Sequence, residues 1–190
     1  MSKKLLAIAL GTAATISVAH AAQPTFYAGG DITALTTKID DKSGIAPDVS
    51  GSAKATTLRL RGGMHILDWL DAELHLVLPQ DKTYSTTLGV DNKVKTTVVG
   101  LFAKPYVNAG PVSFYGLLGL AQSKMDFSGG VVSTSSQNES GVAYGVGVQY
   151  PFTKNLSGSI DYVQYLPKKS VSFLDVDNKA FGVGVTYTFK

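Results

Sequence analysis

Two histidines, His65 and His75, flank a pair of carboxylates, Asp71 and Glu73. Two imidazoles with a nearby carboxylate are the donor types of a metal site or of a general acid–base pair. The pattern offers no clear third ligand, so a metal is a poor fit, and no cofactor is expected. A serine-rich stretch, Ser133 to Ser136, carries hydroxyl nucleophiles, but no histidine follows His75 to activate them. The other charges that stand out are Asp31, Arg59, Arg61, Lys104 and Asp161. Each interrupts a stretch that otherwise alternates apolar and small residues. What these groups can do depends on which face of which element they occupy.

The last stretch, Lys179 to Lys190, fixes that frame. Phe181, Val183, Val185, Tyr187 and Phe189 alternate with Ala180, Gly182, Gly184, Thr186 and Thr188. Strict period 2 makes a strand with one large apolar face and one small face. Seven more segments read the same way: Thr25–Thr36, Lys54–Ile66, Leu70–Leu78, Val94–Val107, Pro111–Met125, Ser140–Tyr150 and Asn155–Leu166. The cleanest sets Leu70, Ala72, Leu74, Leu76 and Leu78 against Asp71, Glu73, His75 and Val77. Val94–Val107 is ambiguous. There Val99, Leu101, Ala103 and Val107 are taken as outward, and Gly100, Phe102 and Lys104 as inward. Pro105 lies inside this strand and can donate nothing to a ladder.

The connections alternate in length. Leu67–Trp69, Asn108–Gly110 and Pro151–Lys154 are short. Thr37–Ala53, Pro79–Lys93, Asp126–Glu139 and Pro167–Asn178 are long and polar, and are expected as loops. Short turns on one side and long links on the other are the signature of an up-and-down, antiparallel, eight-stranded transmembrane β-barrel. Both termini then lie at the short-turn end. Phe26, Trp69, Tyr106, Tyr150, Phe152, Tyr187 and Phe189 gather at that rim, as an aromatic girdle at the periplasmic boundary.

In that frame the charged side chains point into the barrel. Asp31, Arg59, Arg61, Glu73, His75, Lys104 and Asp161, with Asp71, are expected to form an interior polar network. Eight strands leave an interior just wide enough to be filled by side chains. Buried charges in such a space must pair. A salt-bridged plug is therefore favoured over a proton or ion path, and His65 and His75 are read as parts of the plug.

The N-terminus reads as a secretory signal. Lys3 and Lys4 precede an apolar run, Leu5 to Val18, and Ala19-His20-Ala21 is an A-x-A cleavage site. Residues 1–21 are expected to be removed, leaving 22–190 as one barrel domain. Without Lys3 and Lys4, the 17 basic residues fall nearly level with the 14 acidic ones, so nothing points to nucleic acid. The chain has no cysteine. After the signal no apolar run is long enough for a helix to cross a bilayer, so a membrane span must be made of strands.

With the signal, the Phe26-Tyr27-Ala28-Gly29-Gly30 opening, the Trp69-Leu70-Asp71-Ala72-Glu73-Leu74 segment and the Tyr187-Thr188-Phe189 ending, the chain resembles the small eight-stranded outer-membrane β-barrels of Gram-negative bacteria. These are the OmpX/Ail/Opa and OmpA-barrel group, with a looser likeness to accessory colonisation factor-type barrels. The resemblance implies a bacterial outer-membrane location and recognition of the C-terminal strand by the barrel-assembly machinery, although here Lys190 follows the terminal aromatic. It implies contact with outer-membrane lipid and lipopolysaccharide, for which Lys168 and Lys169 at the outer rim are candidates. It further implies a non-enzymatic role in envelope structure or adhesion, with a host or envelope ligand held by the outer loops. Lipid A deacylases of this build carry a late His-x-Ser, which is absent here, and the histidines lie toward the periplasmic end. Three alternatives are kept: a lipid-modifying enzyme, a narrow channel, and a soluble periplasmic ligand-binding barrel of the lipocalin kind with its faces reversed.

Overall fold

A computed structural model describes residues 25–41, 51–85, 91–129, 132–171 and 174–189. The expected signal segment, residues 1–21, lies outside the described residues. Eight strands follow in order: β1 (Phe26–Asp41), β2 (Gly51–Leu67), β3 (Leu70–Ser85), β4 (Asp91–Ala109), β5 (Val112–Gly129), β6 (Val132–Pro151), β7 (Leu156–Val171) and β8 (Leu174–Thr188). Each pairs antiparallel with its chain neighbour, and β8 returns to β1, so the sheet closes into a barrel.

Period 2 decides the two faces. The outside carries Ile32, Leu58, Leu60, Leu74, Leu101, Leu118, Leu120, Val142, Val146, Ile160, Val183 and Val185, all exposed. The inside carries the buried side chains, polar and apolar alike. This is the inverse of a soluble barrel, which would hide the leucines and show the arginines to water. On β8 the apolar row runs from Phe181 to Phe189. At about 3.3 Å per residue and a tilt near 40°, that row covers roughly 20 Å of bilayer, close to the apolar band of such barrels.

The turns at one end are tight. β2 passes to β3 through Asp68 and Trp69, and β4 passes to β5 through Gly110 and Pro111. Gly110 has φ 63°, a conformation that L side chains rarely adopt. The amides of Phe152 and Thr153 both donate to the Leu156 carbonyl in the third turn.

The other end departs from the sequence reading. The four long polar links were expected as loops, yet the strands run on through most of them. β1 continues to Asp41, β3 to Ser85, β5 to Gly129 and β7 to Val171. Only the tips, 42–50, 86–90, 130–131 and 172–173, lie outside the described residues. The reason is physical. Beyond the bilayer a strand meets water on its outer face too, so apolar alternation fades although the backbone ladder persists. Pattern reading sees the first and misses the second.

The ladders are not equally long. β1–β8 pairing runs up to Asp41↔Leu174, β3–β4 to Ser85↔Asp91, β5–β6 to Gly129↔Val132 and β7–β8 to Val171↔Leu174. By contrast β2–β3 pairing stops at Arg59↔Val77, and β6–β7 pairing stops at Tyr144↔Gln164. Above those two pairs the wall parts, among the described residues, into two four-stranded sheets: β7-β8-β1-β2 and β3-β4-β5-β6. The two seams stand on opposite sides of the barrel. Thr57 at the first seam donates its hydroxyl to the Leu78 carbonyl across the gap, at 2.5 Å. At the second, Val163, Gln164 and Tyr165 are all buried in succession, which marks the register shift after Gln164.

Candidate functional site

Among the described residues the lumen is where the polar side chains are buried, and it is filled. Arg59 on β2 reaches past β1 and β8 to β7. Its Nε donates to Asp31 at 2.9 Å, its Nη2 to both carboxylate oxygens of Asp161 at 2.8 and 2.7 Å, and its Nη1 to the Tyr165 hydroxyl at 3.3 Å. Arg61, two residues on and on the same inner face, sets its Nε 2.8 Å from the same Asp31 oxygen. Its Nη2 donates to Ser159 at 2.6 Å and to Thr186 at 3.2 Å. Arg59, Arg61, Asp31 and Asp161 are all buried.

Glu73 on β3 forms the second centre. Tyr27 donates to it at 2.7 Å, Lys104 at 2.9 Å, and His75 Nε2 lies 2.6 Å away. His75 Nδ1 lies 3.0 Å from the Tyr165 hydroxyl, which joins the two centres. Lys104 also sits over the Tyr115 ring, 4.5 Å from its centroid, and Tyr115 donates to Asp161 at 3.1 Å. Three cations, Arg59, Arg61 and Lys104, thus face three carboxylates, Asp31, Glu73 and Asp161, with tyrosines bridging them. Every one of these charges has an opposite partner, which is the condition for keeping it out of water.

The small inner face of β8 makes room for this. A Cβ on Gly184 would run into the Asp31 carboxylate and the Gly30 carbonyl, and one on Gly182 would lie 2.6 Å from Arg59 Nη2. The Tyr27 ring fills the space above Gly63 in the same way. Small residues here are the counterpart of large ones projecting from other strands.

On the outward side of the charges lies a second layer. Leu35, Val77, Val98, Phe102, Leu117, Ala121, Ala143, Val163, Tyr165 and Ala180 are buried together. The His75, Phe102 and Tyr165 rings meet at its boundary, with centroids 4.6 to 6.1 Å apart. Buried Thr33, Thr57, Ser123 and Asn178 stand among the apolar residues, so the lumen is filled first by a neutralised charge cluster and then by a mixed layer of apolar and small polar side chains.

The structure brings Asp31, Arg59, Arg61, Glu73, His75, Lys104 and Asp161 into one network. It keeps Asp71 apart: that carboxylate lies 2.6 Å from His65 Nδ1, nearer the short turns. The two histidines do not converge on Glu73, since His65 has taken Asp71. No cluster of three metal-ligating side chains forms among the described residues. The sequence pattern alone did not bring Tyr27, Tyr115, Ser159, Tyr165, Thr186 or Gln149 into the network. Inward parity was the available signal for the tyrosines, which are long enough to reach the charges.

The aromatics sort less simply than expected. Phe26, Trp69, Tyr150, Phe152, Tyr187 and Phe189 are exposed on the outer face. Tyr106 is not one of them. Its ring packs against the interior cluster and stands edge-on to His65, 6.5 Å away. It shares parity with Phe102 and Lys104, and strict alternation turns it inward. The ladder from β4 to β5 skips Lys104 and Pro105, passing from Ala103↔Leu118 to Tyr106↔Tyr115. Lys168 and Lys169 fall on the upper part of β7, and their side chains lie outside the described residues.

Comparison with solved structures gives the same architecture. The outer membrane protein AlkL, determined in lipid bilayers, is 15% identical with a TM-score of 0.66, covering 93% of this chain and 95% of that one. Neisserial surface protein A is 21% identical with a TM-score of 0.63, covering 86% and 97%. Ail, the attachment invasion locus protein of Yersinia pestis, solved with the heparin analogue sucrose octasulfate, is 16% identical with a TM-score of 0.54, covering 87% and 97%. At these identities the likeness carries the fold alone. None of the curated proteins compared matches the chain. The family described as outer membrane protein beta-barrel domain matches residues 5–189, nearly the whole sequence. With apolar residues outside, paired charges inside and eight strands closed in sequence order, the chain belongs to that family of bacterial outer-membrane β-barrels.

Proposed function

We propose that this protein is a non-enzymatic, non-conducting barrel of the outer membrane. Its strand extensions above the bilayer form an attachment surface for lipopolysaccharide, host or other envelope components. The observation that carries this reading is the filled lumen. With Arg59, Arg61, Lys104, Asp31, Glu73 and Asp161 paired and a densely buried layer above them, the charged groups of the interior are engaged with one another and the lumen is filled by side chains. The groups that could do chemistry are already engaged. His75 is fully buried between Glu73 and Tyr165, out of reach of a substrate. What remains accessible is the outer part of the molecule, and binding is characteristically carried there on a rigid scaffold. The name of Ail as an attachment protein accords with this.

Lys168 and Lys169 stay candidates for lipopolysaccharide phosphates. Lys54 and Lys179, at the top of the outer apolar rows of β2 and β8, extend that set. Phe189, whose amide donates to the Phe26 carbonyl, is the natural contact for the assembly machinery.

Two measurements test the reading. In planar bilayers the purified barrel is expected to show no discrete conductance, and Glu73→Gln or Lys104→Met to open none. Steady unitary currents from the wild type would replace the plug by a channel. Cells lacking the protein are expected to adhere less to host-cell or glycan-coated surfaces, and equal adhesion would remove the attachment role.

A further inference from the structure

The lipid-facing wall near the short turns is not smooth. Two grooves run on the outer face, one on each side of the Val183 and Val185 side chains of β8. The first, about 520 Å³, is bounded by Val148 and Tyr150 of β6 and by Gly158 and Ile160 of β7. The second, about 260 Å³, is bounded by Gly30 and Ile32 of β1 and by Leu58 and Leu60 of β2. The register produces both. Val185 pairs with Gly158 on one side and with Gly30 on the other, so a single valine stands between two missing side chains. Neighbouring strands lie about 4.8 Å apart, which sets the two recesses roughly 10 Å from each other. A Cβ on Gly30 would meet nothing nearer than 3.9 Å, so that recess is open. Over Gly158 the Phe152 ring folds back from the third turn, 2.5 Å from where a Cβ would stand, and closes the lower end of its groove.

The rim beneath the grooves carries one sign of charge. Lys154, in the turn from β6 to β7, is exposed and has no ion-pair partner among the described residues. No acid lies from Tyr150 to Leu156 or from Tyr187 to Phe189, whereas the turn on the opposite wall carries Asp68. The Lys154 turn is fixed in place. Thr153 Oγ accepts from the amides of Asn155 and Leu156, and Asn155 Nδ2 donates to the Thr188 carbonyl at 2.8 Å. Two aromatic pairs stand at the same rim, Tyr150 with Phe152 and Tyr187 with Phe189, their centroids 5.9 and 5.3 Å apart.

We propose that this face holds one anionic two-chain phospholipid from the leaflet at the short-turn end. Its acyl chains lie in the two grooves astride Val183 and Val185, and its phosphate meets Lys154. The grooves are part of the surface that the bilayer already covers, so lipid is their occupant. Inside a bilayer the chains are out of water in any position, and the hydrophobic effect gives them no preference. Contact with a shaped wall holds them instead, and charge at the rim selects the headgroup. The site lies at the end of the barrel away from the attachment surface and does not depend on that reading.

The test follows lipid retention on the full barrel by native mass spectrometry as detergent is raised. Three probes are used: phosphatidylglycerol, phosphatidylethanolamine with the same chains, and single-chain lysophosphatidylglycerol. The wild type is expected to keep a single phosphatidylglycerol after phosphatidylethanolamine has been stripped. Lys154→Gln should weaken that retention about fivefold and remove the preference between headgroups. Gly30→Leu fills the smaller groove. It should weaken phosphatidylglycerol at least about threefold while leaving the lysolipid unchanged. Gly116→Leu, at an outward glycine on the opposite wall, should change neither. Each variant is checked for folding by the mobility shift between unboiled and boiled samples. Equal retention of the two headgroups, indifference to Lys154→Gln, or equal effects of Gly30→Leu and Gly116→Leu overturns the site. A dimer of barrels that Gly30→Leu disperses would replace the lipid by a second copy of the chain.

Discussion

The lower and upper parts of this barrel are made from the same eight strands but held by different means. Below Arg59↔Val77 and Tyr144↔Gln164, each strand has a hydrogen-bonded neighbour on both sides, and the lumen is packed with paired charge. Above them the wall is, among the described residues, two sheets, and the layer between mixes apolar Leu35, Ala121, Ala143 and Tyr165 with buried Thr33, Ser123 and Asn178. The lower part lies in lipid, where an unpaired backbone group costs several kcal/mol, so closure is enforced there. In water the same groups are satisfied by solvent, and strands are free to part. The difference teaches that closure of the sheet follows the solvent, while the chain merely permits it.

The comparison is broken most severely from inside the lower part. Arg59→Met should leave Asp31 and Asp161 facing each other with Arg61 as the remaining cation, and cost about 3–5 kcal/mol. Urea unfolding in lipid vesicles measures this, and a loss below 1 kcal/mol would mean that water already screens the cluster. A charge on the outside comes next. Leu101→Arg or Val146→Arg, midway along the outer apolar rows, should cost about 2–4 kcal/mol by the same assay. The equivalent substitution above the seam, Ser140→Arg, should cost almost nothing, and a similar loss at both sites would erase the distinction between the two parts.

Gly184→Ala probes the fit between strands. Its methyl group would press on the Asp31 carboxylate and the Gly30 carbonyl, and the expected loss is about 1–3 kcal/mol. The smallest effect is expected at the seam itself. Thr57→Val deletes the hydroxyl that satisfies the Leu78 carbonyl across the gap, at about 1–2 kcal/mol. It should also speed amide exchange in β2 and β3 above Arg59 while leaving the amides below unchanged. Uniform acceleration throughout the barrel would show that the seam is not a local boundary.

Much of this was legible in the sequence, and what was not shares one cause. Phe181 to Phe189 against Ala180 to Thr186 gave the faces of β8 outright, and Leu70 to Leu78 gave those of β3. The inward charges followed from parity. Their pairing did not, because Arg59 reaches Asp161 across two intervening strands, a distance along the wall that no local pattern encodes. Tyr106 was placed on the rim by its chemistry, although its parity with Lys104 sends it inward. The extensions past Asp41 or Ser85 were hidden because water on both faces erases the alternation that marks a strand. The seams were hidden more deeply still, since they are a property of which neighbours stop pairing.

The reach of Arg59 and Arg61 also bears on how the molecule comes into being. Asp31 lies 28 residues from Arg59, Asp161 lies 102 residues away, and Thr186 lies 125 residues from Arg61. The cluster therefore cannot be completed by any hairpin or by the first half of the chain. Until the seventh strand arrives, the arginines lack Asp161, and a half-built sheet must keep its inner surface wet. Such a sheet cannot collapse prematurely around a dry interior. Drying of the lumen and closure of the wall are thereby expected to be coupled, because Asp161 meets Arg59 only when the second and seventh strands share one lumen.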